Sequence, residues 1–421
     1  MNLNQISIYE LYIDKFALNI KGLIDKLSYF TDLGITHLWL LPYYPSPMVD
    51  EGYDVSDYFG IRNDLGTIQD FELLLKKADR IGLKIIVDWV INHTSIEHSW
   101  FKQASQSTNN PKRDYYLWSK NGTECKRGIN AFPQLKKSNW ITNPNTNDYY
   151  YATFYPQQAD LNWDNPLVFE EMSKYLKFWI NMGVAGFRAD AVSHMIKREN
   201  TDCYNLPEVH VIMKQFRKYF DTNYPQTLLL AEASGKKEQI KEYFGSSDEF
   251  QLVFNFALTR QLYFNLINNS LEQMPLIVKN NLNIPKNCAW VNVLTNHDAV
   301  CMKELPKLKR SKVLYFIDPK NEYTFIKNES TAVRLATAFK NNPELLMSIW
   351  QNYLDLPGIP VIYYGEEIEM QNLKLRHRPL DSRMYVRNNF NWTVAKANQV
   401  NPRGIFSLIK SKLHQRVKNV N

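Results

Sequence analysis

Short apolar runs alternate with stretches of helical periodicity along most of the chain, and that alternation restricts the fold more tightly than any other feature. The runs fall at residues 6–13, 35–42, 83–90, 184–189, 227–232, 251–256, 289–294 and 359–365. Helical spacing of apolar residues fills the intervals, at 23–33, 65–81 (with Thr67 as the N-cap), 166–181, 207–220, 236–244, from Thr259 onward, 343–354 and 405–417. The run LKIIVDWV at 83–90 is apolar at almost every position, as expected of a strand covered on both faces of a parallel sheet. Eight strand–helix pairs predict an α/β fold closed into a (β/α)8 TIM barrel. An open doubly wound sheet requires a glycine-rich turn after its first strand, and Asp14, Lys15 and Phe16 stand there instead.

The alternation fails from about residue 92 to 165, a stretch rich in Asn, Ser, Thr, Lys, Trp and Tyr. A structureless loop of that length is improbable inside a compact domain, so a small subdomain is expected there. The predicted organisation is a barrel in two parts, residues 1–93 and 166–421, around an inserted domain at 94–165. The insertion carries DYYYATFY at 148–155. Two readings stand for it: aromatic faces that stack on sugar rings, or rings that pack the insertion.

Composition removes several classes of function. Hydrophobic residues make up 44% and charged residues 22%, an ordinary globular balance that excludes a disordered or collagen-like chain. The net charge of +7 is spread out, and its dense clusters, at 303–312 and 410–418, read as solvated helical faces rather than a nucleic-acid surface. None of the four cysteines forms a C-x-x-C pair, so neither a zinc site nor a thioredoxin-like motif is indicated. No apolar run approaches the roughly 20 residues that span a bilayer, and the first ten residues have no signal-peptide core. The expectation is a cytoplasmic protein with no membrane partner.

In a barrel of this type, chemistry gathers at the C-terminal ends of the strands. Those positions hold Tyr53 and Asp54 after strand two, and Asp88, Asn92 and His93 at strand three. Strand four contributes Arg188 and Asp190, with His194 beyond, and strand five Glu232. Strand seven contributes Asn296, His297 and Asp298; Glu366, Glu367 and later Arg387 follow strand eight. Acids, histidines and arginine suit an oxocarbenium-like transition state at an anomeric carbon. Asp190 and Glu232 end adjacent strands about 4.8 Å apart. That spacing is compatible with the roughly 5–5.5 Å between the nucleophile and the acid/base of a retaining glycosidase. Arg188, two residues before Asp190 on one strand face, keeps that carboxylate ionised, while burial raises Glu232 toward an acid's role. Asp298 is suited to sugar hydroxyls or to developing positive charge, and His93 and His297 to donating hydrogen bonds. Asp88 reads as a brace beneath the site. Asn92 either braces the insertion or ligates calcium, and His194 reads as a packed loop histidine.

The motifs DWVINH (88–93), GFRADAVSH (186–194), LLAEA (229–233) and TNHD (295–298), with QADLNW (158–163), resemble glycoside hydrolase family 13, the α-amylase superfamily, over nearly the whole chain. The resemblance implies Asp190 as nucleophile, Glu232 as acid/base and Asp298 as transition-state stabiliser, with Tyr53, His93, Arg188 and His297 around the reacting sugar. It pairs Asp54 with Arg387, five residues before Trp392, to hold the non-reducing-end glucose and impose exo action on short α-glucosides: maltose, trehalose, sucrose or maltooligosaccharides. The segments at 40–61, 111–119, 205–210 and 242–249 are similar to trehalose-synthase-type members. That implies cleavage of maltose, retention of the glucose and re-formation of the bond. Alternatives are an α-glucosidase or α-amylase-type hydrolase, an amylosucrase-like transglucosylase (suggested by RPLDSRMYVRNNFNW at 378–392), or a non-catalytic sugar-binding barrel. No cofactor is required by this chemistry; a structural calcium at Asn92 is the one metal the resemblance offers, since residues 16–22 lack the family's D-x-N-x-D-G loop. About 30 residues follow Trp392, so the family's C-terminal β-sandwich is expected to be absent and the last helix to complete the barrel.

Overall fold

A computed structural model describes residues 2–268 and 283–418. Eight parallel strands close into a barrel: β1 Ile8–Leu11, β2 His37–Leu40, β3 Lys84–Val90, β4 Gly186–Asp190, β5 Leu228–Ala231, β6 Leu252–Phe254, β7 Ala289–Asn292 and β8 Ile359–Tyr363. Each strand pairs with its sequence neighbours, and β8 returns to β1 through Ile8–Val361 and Glu10–Tyr363. The register decides the site. Asp88 lies opposite Arg188, which lies opposite Leu230, and Val90 lies opposite Asp190. The Glu232 amide bonds the Ala189 carbonyl at 3.0 Å, which sets Glu232 beside Asp190 at the top of the barrel.

The helices form where the apolar spacing places them, and their ends are chemically marked. Those that cover the barrel are α1 Leu27–Leu33 (the expected 23–33 helix breaks at Asp25 and Lys26, leaving Ile20–Ile24 as a separate turn), α2 Ile68–Arg80, α3 Pro166–Met182, α4 Pro207–Asn223, α5 Lys237–Glu242, α6 Phe256–Ile267, α7 Pro343–Leu354 and α8 Ile405–Lys418. Thr67 and Asp70 form a capping box at the start of α2. Asn165 caps α3, whose first residue is Pro166 and whose end turns at Gly183 with φ 117°. Helix α6 begins at Phe256 rather than Thr259, because Asn255 accepts from the Leu258 amide and caps it early. The rest of the helical region expected from Thr259 falls partly on residues 269–282, outside the described residues.

Two stretches carry structure that periodicity did not reveal. Between β3 and α3, His93–Ser95 pairs with Gln158–Asp160, and Trp118–Ser119, Asp148–Tyr151 and Trp140–Asn143 form a three-stranded sheet. Phe101, Trp118 and Tyr150 pack as a ring cluster there, so the tyrosine-rich run divides: Tyr150 and Tyr151 pack, while Phe154 turns toward the barrel mouth. Between β7 and α7, helix Lys307–Ile317 is followed by a hairpin of Thr324–Ile326 and Ser330–Thr331, which pairs with Val300–Cys301.

Candidate active site

The floor of the site is a guanidinium shared by three acids. Arg188, at the top of β4 and without exposed surface, meets Asp88 Oδ1 at 2.5 Å, Asp190 Oδ1 at 2.6 Å and Glu232 Oε2 at 2.7 Å. Trp39 Nε1 donates to the other oxygen of Asp88 at 3.1 Å, and the Tyr53 hydroxyl oxygen lies 3.2 Å from that oxygen. Burial pushes the Asp88 carboxyl up to about 6 against the pull of Arg188. Asp88 thus braces the arginine from below. Burial also raises Asp190 and Glu232, opposed by Arg188 and reinforced by the neighbouring acids. Two carboxyls on one guanidinium favour retention of a proton between them, which supplies one acid and one carboxylate. Ala191, directly after Asp190, adopts φ 47°, and its amide donates to Glu232 Oε2 at 2.9 Å. This is a non-glycine residue held in left-handed conformation beside the reacting groups.

Asp298 lies across the barrel on the loop after β7. Arg383 Nη1 and Arg387 Nη2 reach its Oδ1 at 3.0 and 3.2 Å, and His297 Nε2 its Oδ2 at 3.3 Å. Burial raises this carboxyl, but the guanidinium groups of Arg383 and Arg387 outweigh it and hold it below the ordinary range. His297 is kept neutral by burial. Glu10 Oε1 accepts from its amide at 3.1 Å and meets Nδ1 at 2.6 Å. With Nδ1–H donating to Glu10, Nε2 accepts from the Tyr53 hydroxyl at 2.7 Å, and the two rings stack at 5.3 Å. His93, also neutral through burial, lines the mouth with Tyr53.

Two adjoining cavities of about 200 Å³ each open here. Asp50, Tyr53, His93, Asp190 and Arg383 line the first. Ser193, His194, Tyr204, Arg260 and Asn296 line the second. Glu232 and Asp298 border both.

One expected pairing does not form. Asp54 spends its oxygens inside its own loop, accepting from Ser46 Oγ at 2.8 Å and from the amides of Val49 and Asp50 at 3.0 and 3.1 Å. Arg387 turns to Asp298 and the His297 carbonyl instead. The pair at the closed end of the first cavity is Asp50–Arg383, at 2.5 Å. The physical reason is the turn at Glu51 and Gly52, with φ 49° and 103°, which sends Asp50 into the cavity and Asp54 back under it. Asp381 holds Arg383 from behind at 2.7 Å and accepts from Tyr155 Oη of the insertion at 2.7 Å. Sequence reasoning missed Glu10, Asp50, Arg383 and Asp381; the one available signal was the second acid and second arginine flanking the chosen ones in DEGYD and RMYVR. Glu366 and Glu367 lie outside both cavities. Glu366 meets Arg334 at 3.4 Å, and Glu367 accepts from the Tyr9 and Tyr29 hydroxyls at 2.7 Å each.

The residues around Asn92 do not suit a divalent cation as arranged. Asn92 Oδ1, Asp160 Oδ2 and the His194 carbonyl converge on the ammonium of Lys197, the first two at 2.9 and 2.5 Å. Calcium needs six to eight oxygens at roughly 2.3–2.6 Å; here the central position is filled by a fixed positive charge. Among the described residues no cluster of three or more His, Cys, Asp or Glu side chains forms a metal site elsewhere. No described helix is long and apolar enough to cross a membrane.

Residues 17–416 match the model of the α-amylase catalytic domain, and the chain belongs to the α-amylase family. It is 35% identical over 381 residues to a trehalose synthase/amylase from Mycolicibacterium smegmatis, covering 89% of this chain and 63% of the relative. It is 35% identical over 392 residues to alpha-amylase 3 from Dictyoglomus thermophilum, covering 91% and 67%. Its fold matches that of the trehalulose synthase from Pseudomonas mesoacidophila, with TM-score 0.77, 23% identity and coverage of 99% and 84%. The chain thus spans about 63% of the first relative's length.

Proposed function

We propose that this chain is a retaining α-glucosyl enzyme that acts on maltose-like disaccharides and re-forms an α-glucosidic bond, in the manner of a trehalose synthase. The observation that carries the reading is the placement of three acids around the two cavities. Asp190 faces only the first, while Glu232 and Asp298 border both. A glucosyl unit in the first cavity would meet Asp190 at its anomeric carbon, with Glu232 beside the leaving oxygen. Asp190 attacks as Glu232 gives its proton to that oxygen, and a glucosyl ester forms on Asp190. Asp298, ionised among its arginines, stabilises the positive charge that develops at the ring. Arg188 opposes the rise that burial gives Asp190, favouring its anionic form, and aims it. An acceptor hydroxyl then displaces the ester, with Glu232 taking its proton.

The Asp50–Arg383 pair closes one end of the first cavity, which favours a terminal glucose over the interior of a long chain. Relatives named for trehalose synthase and for amylase match at similar identity, and product analysis separates the two. Incubation with maltose is expected to give trehalose in excess over free glucose, with sucrose and trehalose as further substrates. Glucose alone would assign a hydrolase, and no turnover of any α-glucoside by folded protein would refute the reading. Asp190→Asn is expected to lower turnover at least about a thousandfold with unchanged thermal unfolding.

A further inference from the structure

Four cysteines without a C-x-x-C spacing leave open whether any two meet in the fold, and two of them do. Cys125 lies in the insertion and is half-buried; Cys203 lies on the loop after β4 and is 3% exposed. Their thiols are close enough to share a hydrogen bond. The two loops are pinned together around that contact. The Cys125 amide donates to Glu199 Oε2 at 2.6 Å, and the Ile129 amide to the Asp202 carbonyl at 2.9 Å. Gly128 makes the approach possible: a Cβ there would stand 3.0 Å from the Cys125 carbonyl oxygen and 3.4 Å from Cys203 Sγ. Both cysteines adopt left-handed backbone, with φ 48° and 55°, which a non-glycine residue keeps only where its surroundings fix it. The glucosyl reaction uses neither thiol.

The two sulfurs are not equivalent. The hydrogen bond from Cys125 lowers the Cys203 thiol to about 6, against burial; Thr201, whose hydroxyl lies 3.8 Å from Cys203 Sγ, and the Lys197 ammonium act the same way. The same contact raises Cys125. A thiolate beside a thiol lets one cysteine react with an oxidant and the other resolve the product. We propose that Cys125 and Cys203 form a peroxide-oxidised pair whose disulfide clamps the insertion to the loop after β4. Cys203 Sγ attacks one peroxide oxygen, the O–O bond breaks, hydroxide leaves and takes up a proton, and a sulfenic acid remains on Cys203. Cys125 Sγ then attacks Cys203 Sγ; the S–O bond breaks, and the Cys125 proton leaves with the oxygen as water. The peroxide is reduced by two electrons, and the two thiols are oxidised to one disulfide, which a dithiol reductant reverses. The clamp bears on the cavity walls, because Cys203 adjoins Tyr204 of the second cavity, and Phe132 of the first stands on the insertion. The proposal is independent of the glucosyl-transfer reading.

Exposure of the full chain to a small excess of hydrogen peroxide, followed by alkylation and peptide mass spectrometry without reduction, tests this. The expected product is one peptide pair joining Cys125 to Cys203, lost on treatment with dithiothreitol. In Cys125→Ser the pair should be absent and dimedone should label Cys203; in Cys203→Ser, Cys125 should stay unmodified at the same dose. Hydrogen exchange of the amides at 122–130 and 198–205 is expected to slow at least about threefold in oxidised wild type and to be unaffected by peroxide in Cys125→Ser. Thiols that stay reduced, a disulfide to Cys288 or Cys301, or oxidation of Cys203 past the sulfenic acid without a bond would overturn the proposal. Unchanged exchange in the cross-linked protein would overturn the clamp, and dimedone labelling of Cys125 in Cys203→Ser would overturn the order of attack. Should Cys203→Ser fail to fold, Cys125→Ser, at the half-buried position, carries the dimedone and exchange readouts.

Discussion

Arg188 has no exposed surface and three carboxylates within 2.7 Å. Replacing it would leave buried acids without a counter-charge, so its variants would report stability as much as chemistry. Glu232 is the cleaner probe. Its pKa is raised first by burial, so the protonated form persists above the ordinary carboxylate range. Activity should be present below that raised pKa and fall as pH rises through it. In Glu232→Gln, the kcat/KM profile on a donor with an activated leaving group should lose that alkaline limb; retention of the limb would remove Glu232 from the acid's role. Glu366 offers a stability test far from the reaction. Burial raises its pKa from 4.5 to about 7, despite Arg334. The folded state binds its proton more tightly than the unfolded state, so its contribution to stability is complete below about pH 4.5 and is lost as pH rises toward 7. Glu366→Gln should flatten the fall in denaturation midpoint across that window. Asp190, Glu232 and Asp298 were legible because each ends a strand or its loop, where period and position coincide. Asp50 and Arg383 were not, because each stands within a few residues of a like residue and backbone turns decide which enters the cavity.

At the scale of elements, the loop after β4 ties the barrel to the insertion. Lys197, on that loop, bridges Asn92 at the end of β3 and Asp160 in the insertion, where both side chains are nearly fully buried. Lys197→Met leaves the buried Asp160 carboxylate its Thr153 hydrogen bonds but no counter-charge, and should cost about 3–5 kcal/mol in chemical denaturation, the range for breaking a buried pair. Added calcium should leave the melting temperature of wild type unchanged; a clear rise would mean that Lys197 gives way to the cation. The barrel strands were readable as continuous apolar runs because both faces are covered. The sheets between β3 and α3 and the hairpin after β7 were not. Their strands are only two to four residues long and are held by ring contacts and cross-strand pairs that leave no period.

In the molecule as a whole, eight strands closed in sequence order bring residues almost 300 positions apart, such as Glu10 and His297, into contact at 2.6 Å. Helix α8 completes the outer layer against α1 and α7, with Leu413 buried beside Gly34. A side chain at Gly34 would place its Cβ 2.9 Å from Leu413 Cβ, in a backbone with φ 88° that other residues resist. Leu413→Ala should therefore cost about 2–5 kcal/mol in denaturant unfolding, as for other buried leucines; a negligible cost would show that α8 is not part of the cooperative unit. The eight-fold count gave the architecture away, because only closure lets every strand be buried on both sides. Which acid does what depends on how the two cavities divide, and no linear pattern encodes that division. The most direct test of the central claim is to trap the intermediate. A fluorinated α-glucosyl donor with a good leaving group, incubated with wild type and followed by intact-mass and peptide mass spectrometry, should give one glucosyl adduct esterified to Asp190 and none in Asp190→Asn. A label on a different carboxylate, or turnover of that donor with no adduct at any time, would contradict the account.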